Sequence, residues 1–273
     1  MQCLALLVVL HWLSPADAAI NGFGNFSNFM INRADSSALP DVVPGTIHIT
    51  TMAFDQSRSI FFRTPQDISH FTASYSFKSV EGSVGGLTAI SYGAAFVIQN
   101  SLDGPGEVAP GVGSTFGYGG GCESACGGGR KYFEHSIAVT LEDRTLSLDS
   151  SSTGVYTNGV VEGGSYDTSL VDSFSGNWIH VQLTYDGSLL HQVLTDTATL
   201  ASHENYFPVN IPAIVGGQTA YVGFTAGNGF APGDQYLADF QFGGVPEPSA
   251  GMLAAIAGVS LMLRRRKQAE NRI

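Results

Sequence analysis

The sequence predicts an all-β protein, built as a two-sheet antiparallel sandwich. Apolar and polar residues alternate along most of the chain, as in HFTASYSFK, where Phe71, Ala73, Tyr75 and Phe77 share one face. Many such segments are bounded by Gly, Asp, Asn or Pro, and 34 glycines supply turns between short strands. Outside the two chain ends, no stretch carries a helical stripe of apolar residues. Many short strands separated by turns are typical of two packed antiparallel sheets.

The predicted strands follow one another closely along the chain. The segments with β-type patterns are TIHITTM, SIFFR, HFTASYSFK, AAFVIQ, FEHSIAVTLED, IHVQLTYD, LLHQVLTD, AYVGFT and YLADFQF. They are rich in β-branched and aromatic residues, which suit a pleated, half-buried surface. In FEHSIAVTLED, Ile137, Val139 and Leu141 occupy alternate positions, so the glycine-rich stretch GYGGGCESACGGGRK leads into a strand. A phosphate-binding glycine loop requires a helix N-terminus after it, and none is predicted here.

The first 19 residues resemble a secretory signal peptide. An apolar run from Cys3 to Leu13 is followed by the small-residue sequence Ala16-Asp17-Ala18, as in signals cleaved after such a site. We therefore expect export and removal of this segment.

Residues 244–273 contain three consecutive features: a Pro-Glu-Pro motif, an apolar stretch and a basic cluster. The motif residues are Val245, Pro246, Glu247 and Pro248, and the cluster contains Arg264, Arg265 and Arg266. The order resembles the PEP-CTERM sorting signal of exosortase substrates. This resemblance implies transient inner-membrane anchoring, cleavage by an exosortase-type enzyme, and a final location at the cell surface or in the extracellular matrix of a bacterium. The alternatives are an ordinary membrane anchor or a buried helix, although Ser249–Leu263 is shorter than the roughly 20 residues that span a bilayer.

Charge and cysteine content restrict the partners and the metal chemistry. Between Ala19 and Leu263 the chain has 7 basic and 21 acidic residues, a balance of −14, which opposes binding to nucleic acid because this part has no basic stripe to neutralise phosphates. In an oxidising compartment, Cys122 and Cys126 are expected to form a disulfide. We do not expect the pair to bind zinc, because structural zinc needs four ligands. The nearest histidine, His135, is nine residues beyond Cys126, and the sequence has no second cysteine pair.

The order of segments between residues 20 and 243 resembles the bacterial branch of the legume-type (L-type) lectins. The segments are GTIHITT, SIFFRTPQDISHFTASYSF, ISYGAAFVIQN, GYGG, HSIAVTLED, STGVYTNG, GNWIHVQLTYDGSLLHQVLTDTAT and AYVGFTAGNGFAPGDQYLADFQF. The resemblance implies a concanavalin A-like jelly roll in which four loops at one end of the sandwich hold a sugar.

The first two of these loops contain aromatic residues and glycines. Where the family has Ala-Asp-Gly, this chain has Ser91-Tyr92-Gly93, so a charge-assisted acceptor is replaced by an aromatic ring that either stacks on a sugar or packs in the protein. The second loop, TFGYGGG, includes Tyr118, Gly119 and Gly120. Its glycines either allow backbone amides to approach a ligand or simply form a turn.

The third and fourth loops differ in how well they match the family. The third holds metals in the family, but here Thr140 and Glu142 replace the Glu-x-Asp pair and Ser152 stands in place of the histidine. We therefore expect no cofactor, with at most a degenerate calcium site formed by Glu142, Asp143 and Asp149. The fourth loop matches best: Ala226 and Gly227 offer backbone groups, and the Asn228 amide can bond two adjacent hydroxyls. As a turn, these residues need no ligand.

These observations predict an exported, lectin-like protein that binds extracellular polysaccharide weakly and without calcium. One alternative is a structural surface protein whose lectin site has decayed, and another is a glycoside hydrolase. Hydrolysis requires two carboxyl groups facing each other across the scissile bond, whereas VTLEDR places its adjacent acidic residues on opposite faces of a strand. We therefore expect no enzymatic activity.

Overall fold

The computed structural model describes most of the chain between Ile20 and Gly244. The described residues are 20–34, 39, 41–80, 82–84, 87–89, 92–109, 111–119, 133–143, 151–161, 166–168, 170–230 and 232–244. The predicted signal peptide, the sorting segment from Val245 onward, Gly120 and the Cys122–Cys126 pair lie outside these residues and stay predictions.

Two antiparallel sheets form a sandwich, which confirms the predicted fold class. In spatial order, sheet A contains β16 (Ser202–Pro208), β15 (Leu189–Asp196), β14 (Ile179–Tyr185), β7 (Phe71–Val80), β18 (Asp234–Gly244), β4 (Thr46–Thr50) and β3 (Asp41–Val43), with β1 (Ile20–Asn21) also paired to β18. Sheet B contains β13 (Tyr166–Asp167), β12 (Ser151–Thr157), β11 (Ser136–Asp143), β10 (Gly93–Gln99), β17 (Thr219–Gly227), β5 (Ser57–Phe62) and β2 (Phe29–Arg33), with β6 (Gln66–Asp67) paired to β17. A separate hairpin joins β8 (Gly82–Val84) and β9 (Leu87–Ala89).

The main core lies between the sheets and is rich in aromatic residues. Phe71, Ala73, Tyr75 and Phe77 point inward from β7, as the alternation predicts. Tyr75 meets Phe224 of sheet B edge-on, with ring centroids 4.8 Å apart. Such contacts stabilise the fold by about 0.5–1.5 kcal/mol each beyond area burial.

A second, smaller core covers the outer face of sheet B. Its buried members include Phe61, Ala95, Val97 and Ala138 from the strands, and Phe116, Tyr118 and Phe133 from the loops that lie over them. As a result, every residue of β10 is buried, those on its outward face as well as those on its inward face. Sheet B is therefore buried on both faces over its central strands.

One short helix departs from the expectation of an all-strand domain. Helix α1 (Ile211–Val215) begins at Asn210, whose Oδ1 accepts a hydrogen bond from the Ala213 amide at 3.1 Å, and ends at Gly216 with φ of +80°. In the described residues, 3-10 turns also occur at Phe26–Asn28, Gly104–Gly106 and Gly113–Thr115. Within the described part of the chain, no helix has the length and apolarity needed to cross a membrane.

Candidate functional site

Two loops form a rim at one end of the sandwich, where the resemblance places the sugar. Residues 51–56 connect β4 to β5, and residues 228–233 connect β17 to β18. The backbone N–H of Asp55 donates to the Gly229 carbonyl at 3.3 Å, and the backbone N–H of Asn228 donates to the Gln56 carbonyl at 2.9 Å. Backbone hydrogen bonds therefore fix the two loops together.

Asn228 stabilises this rim from inside. Its side chain is fully buried, and its Nδ2 donates to the carbonyls of Thr51 at 2.7 Å and Gly233 at 2.9 Å. Its Oδ1 accepts from Gln235 Nε2 at 3.1 Å. Both amide protons are thus engaged inside the protein, so the expectation that this amide bonds two sugar hydroxyls requires a correction. The geometry favours the alternative, a residue that holds a turn.

Tyr92 lies beneath the rim and has only 7% of its surface exposed. Its ring occupies the space above two glycines: a Cβ at Gly113 would lie 3.2 Å from Tyr92 Cε2, and one at Gly229 would lie 3.1 Å from it. Side chains larger than hydrogen at these positions would therefore displace the ring. Of the two roles that the sequence allows for Tyr92, the structure favours the packed aromatic.

Phe230 is the most exposed aromatic residue among the described residues of the rim. It is 69% exposed and packs edge-on against Tyr92, with ring centroids 5.7 Å apart at 82°. Phe54, which is 54% exposed, and Met52 lie on the opposing loop. None of these three residues is among those that the sequence predicts for the site. The sequence does carry one signal for them: each is a large apolar residue within a turn that contains Gly or Asp. A residue in such a turn is not part of a strand, so burial in a strand does not account for its apolar side chain.

The other predicted residues of the first, second and fourth loops have backbone or packing roles. Gly93 has a φ of +132°, where a side chain would collide with the Leu141 carbonyl, and a Cβ at Gly227 would lie 2.9 Å from the Gly117 amide. Ala226 is fully buried in β17. These residues let neighbouring backbones approach closely below the rim.

Tyr118 anchors the second loop in the smaller core. It is fully buried, its hydroxyl lies 2.7 Å from Ser136 Oγ, and its ring stacks on Phe133 at 5.4 Å. Burial raises the pKa of its hydroxyl well above the usual value. Gly119, the next residue, is buried too, so the described part of this loop is packed against sheet B.

The position that the resemblance associates with metal is occupied by a hydrogen-bonded network. Glu142 is fully buried, and its Oε1 accepts from the Tyr156 hydroxyl at 3.0 Å and from Thr140 Oγ1 at 3.3 Å. Gly154 leaves room for this contact, because a Cβ there would lie 2.9 Å from the Tyr156 hydroxyl. Among the described residues, no three His, Cys, Asp or Glu side chains are grouped to hold a metal ion. The Asp143 side chain and Asp149 lie outside the described part, so the degenerate calcium site stays an expectation.

Comparison with solved structures shows which proteins share this architecture. The chain is similar to lectin II from Ulex europaeus, with 18% identity, a TM-score of 0.63, and coverage of 84% of this chain and 98% of that one. It is similar to the basic winged bean lectin, solved with Tn-antigen, with 15% identity, a TM-score of 0.65, and coverage of 84% and 99%.

A third similar structure is arcelin-5, a lectin-like defence protein from Phaseolus vulgaris. It has 15% identity, a TM-score of 0.61, and coverage of 83% of this chain and 97% of that one. No protein-family model and no curated protein sequence matches the chain. At these identities, the similarity shows a lectin-like, concanavalin A-like fold.

Proposed function

We propose that this protein is an exported, non-enzymatic carbohydrate-binding protein that recognises extracellular polysaccharide weakly and without calcium. The observation that carries the proposal is the exposed Phe230 ring, held edge-on by Tyr92 at the lectin-type rim. Aromatic faces at a rigid rim suit the apolar faces of pyranose rings, because they provide contact area with little loss of conformational freedom on binding.

The fold supports carbohydrate as the ligand class. Structures with this architecture include lectin UEA-II complexed with galactose and a lectin from Bauhinia forficata in complex with GalNAc. The buried network around Glu142 supports calcium-independent binding, since Tyr156 and Thr140 donate hydrogen bonds to its carboxyl group. A buried Glu142 is also poorly placed for glycoside hydrolysis.

The direction of β18 supports display from a surface. This strand begins at Asp234 beside the rim and ends at Gly244, immediately before the proposed PEP-CTERM signal. Its 11 residues span about 35 Å. β1 pairs with the far end of β18, through Ile20 and Phe242, so the first and last residues of the described domain lie at the pole opposite the rim. Attachment by the processed C-terminus would leave the rim facing outward.

Phe230→Ala tests the proposal in the secreted domain. We expect retention on neutral polysaccharide in affinity gel electrophoresis to fall about tenfold, because one stacking contact contributes on the order of 1 kcal/mol and repeating polymers multiply it. Leu102→Ala is the matched control, since this apolar side chain is 90% exposed and follows the opposite end of β10.

Two outcomes would contradict the proposal. Equal retention of Phe230→Ala and wild type would exclude the Phe230 rim as the binding site. Absence of retention for wild type on neutral and acidic polymers alike would favour the structural surface protein instead.

A further inference from the structure

A groove of about 540 Å³ crosses the outer face of sheet A, away from the rim. Its polar lining consists of Asn21, Thr72, Ser74, Gln182 and Gln241. These side chains lie on four neighbouring strands, namely β1, β18, β7 and β14. Unlike the outer face of sheet B, this part of sheet A carries no second core of described loop residues.

Four of the lining residues form one row across the sheet. Gln182 pairs with Ser74, Ser74 with Gln241, and Gln241 with Asn21. Neighbouring strands are about 4.8 Å apart, so the row places three amides and one hydroxyl along about 14 Å of rigid surface. Thr72 adds a second hydroxyl one step along β7 on the same face.

The amides in this row are available for a ligand. Among the described residues, the Gln182, Gln241 and Asn21 side chains make no intramolecular hydrogen bond, and all three are exposed. Each primary amide carries donors and an acceptor, and can therefore bond two adjacent hydroxyl groups at once. This contrasts with Asn228, whose amide is used entirely within the rim.

Charge distinguishes among possible ligands. The five polar lining side chains are uncharged, whereas the chain has a net charge of −11. The nearby acidic residues on this face are Asp239, which accepts from Ser76 Oγ at 3.0 Å, and Glu204 on the edge strand. The basic side chains on these and the adjoining strands include Lys78 of β7, His180 of β14 and His191 of β15, whose Nε2 lies 3.0 Å from Glu204 Oε2. An uncharged row within an acidic protein matches a neutral ligand and disfavours a polyanion.

We propose that this groove is a second binding site, which holds a neutral polysaccharide chain through the amides of Gln182, Gln241 and Asn21. The assignment of the ligand class rests on the proposed function, whereas the site is distinct from the Phe230 rim. Two sites on one domain would hold one polymer at two points, or join two polymers, and would raise the overall retention by avidity.

The experiment measures polysaccharide binding at the groove in a protein whose rim site is removed by Phe230→Ala. The Phe230→Ala protein is compared with the same protein carrying Gln182→Ala and Gln241→Ala, using affinity gel electrophoresis in dextran, hydroxyethyl cellulose and alginate. We expect residual retention on a neutral polymer, weakened about fivefold or more by the two glutamine substitutions, and no retention on alginate. Gln218→Ala is the matched control, because this glutamine is exposed and lies outside the groove.

The possible results separate the two proposals. If the glutamine substitutions change nothing, or if Phe230→Ala alone removes all retention, the groove proposal is wrong. If sedimentation shows a wild-type dimer that Ser74→Arg converts to a monomer, a second copy occupies the groove, which also overturns the proposal. Retention of Phe230→Ala equal to that of wild type would contradict only the rim assignment.

Discussion

The two sheets have outer faces of opposite character. Along β10 of sheet B, outward residues such as Ala95 and Val97 are buried beneath Phe116, Tyr118 and other loop residues. Along β7 and β14 of sheet A, outward residues such as Thr72 and Gln182 are exposed and polar. The inward faces of both sheets contribute residues to the main core.

This difference determines where a ligand can approach. On sheet B the loops cover the central strands, so the proposed recognition is confined to the residues that the rim turns outward, with Phe230 the most exposed aromatic among those described. On sheet A the strands themselves are accessible, and their side chains are held at the spacing of the sheet. The same sandwich therefore offers one aromatic surface and one amide-rich surface.

A carboxylate placed at matched outward positions gives the largest expected contrast. Val97→Asp puts a charge in the second core, where Val97 is fully buried, and should destabilise the protein by about 4 kcal/mol or more. Ser74→Asp, on the open face, should change stability by less than about 0.5 kcal/mol. Urea unfolding measures both values. Similar destabilisation by the two substitutions would mean that the outer faces are equally covered.

Asparagine gives a second matched pair. Asn228→Ala removes three hydrogen bonds and leaves the buried Gly233 carbonyl, the part-buried Thr51 carbonyl and the Gln235 amide without these partners, so we expect a loss of about 3 kcal/mol. Asn21→Ala removes an exposed amide and should leave the unfolding free energy within about 0.5 kcal/mol of wild type. If Asn228→Ala proved neutral in thermal and urea unfolding, the amide would not support the rim.

The inward faces were predictable because, in a strand with one buried face, apolar residues occupy every second position. In β7, the four apolar residues from Phe71 to Phe77 point into the core as predicted. The second core was less visible, since Ala95 and Val97 are small apolar residues that occur on open and covered faces alike. Helix α1 spans only five residues, too few to produce a helical stripe in the sequence.

The candidate site was less predictable because its side chains depend on contacts that are distant in sequence. Tyr92 is buried by glycines at positions 113 and 229, and Asn228 bonds to a carbonyl 177 positions earlier, at Thr51. A resemblance between loop sequences identifies the position of a residue in the fold, but not whether its polar groups are already satisfied. The exposed Phe230 emerges only when the loops are assembled.

Tyrosine–carboxylate contacts on the two faces provide a third comparison. Tyr156 donates to the buried Glu142 at 3.0 Å, and Tyr206 donates to the exposed Glu204 at 2.9 Å. Tyr156→Phe should destabilise the protein by about 2 kcal/mol, because the buried acceptor loses a strong partner. Tyr206→Phe should have a much smaller effect, since water replaces the hydroxyl. Equal changes in the two unfolding free energies would contradict the difference in coverage.

The smallest expected effect is the pH dependence of the exposed pair. Hydrogen bonds from Tyr206 and then His191 lower the pKa of Glu204 from its ordinary value of 4.5, while Glu204 raises the pKa of Tyr206 above 10.0. A lowered carboxyl pKa stabilises the fold above pH 4.5, and this contribution is lost as the pH falls through the folded value. A raised tyrosine pKa stabilises the fold below pH 10.0, and this contribution is lost as the pH rises through the folded value.

The Tm difference between wild type and Tyr206→Phe should therefore be small and constant from about pH 5 to 9, and should decrease at both extremes. Salt should also reduce it, because both groups face solvent. A Tm difference that grows below pH 4 would contradict this assignment of the Glu204 contact.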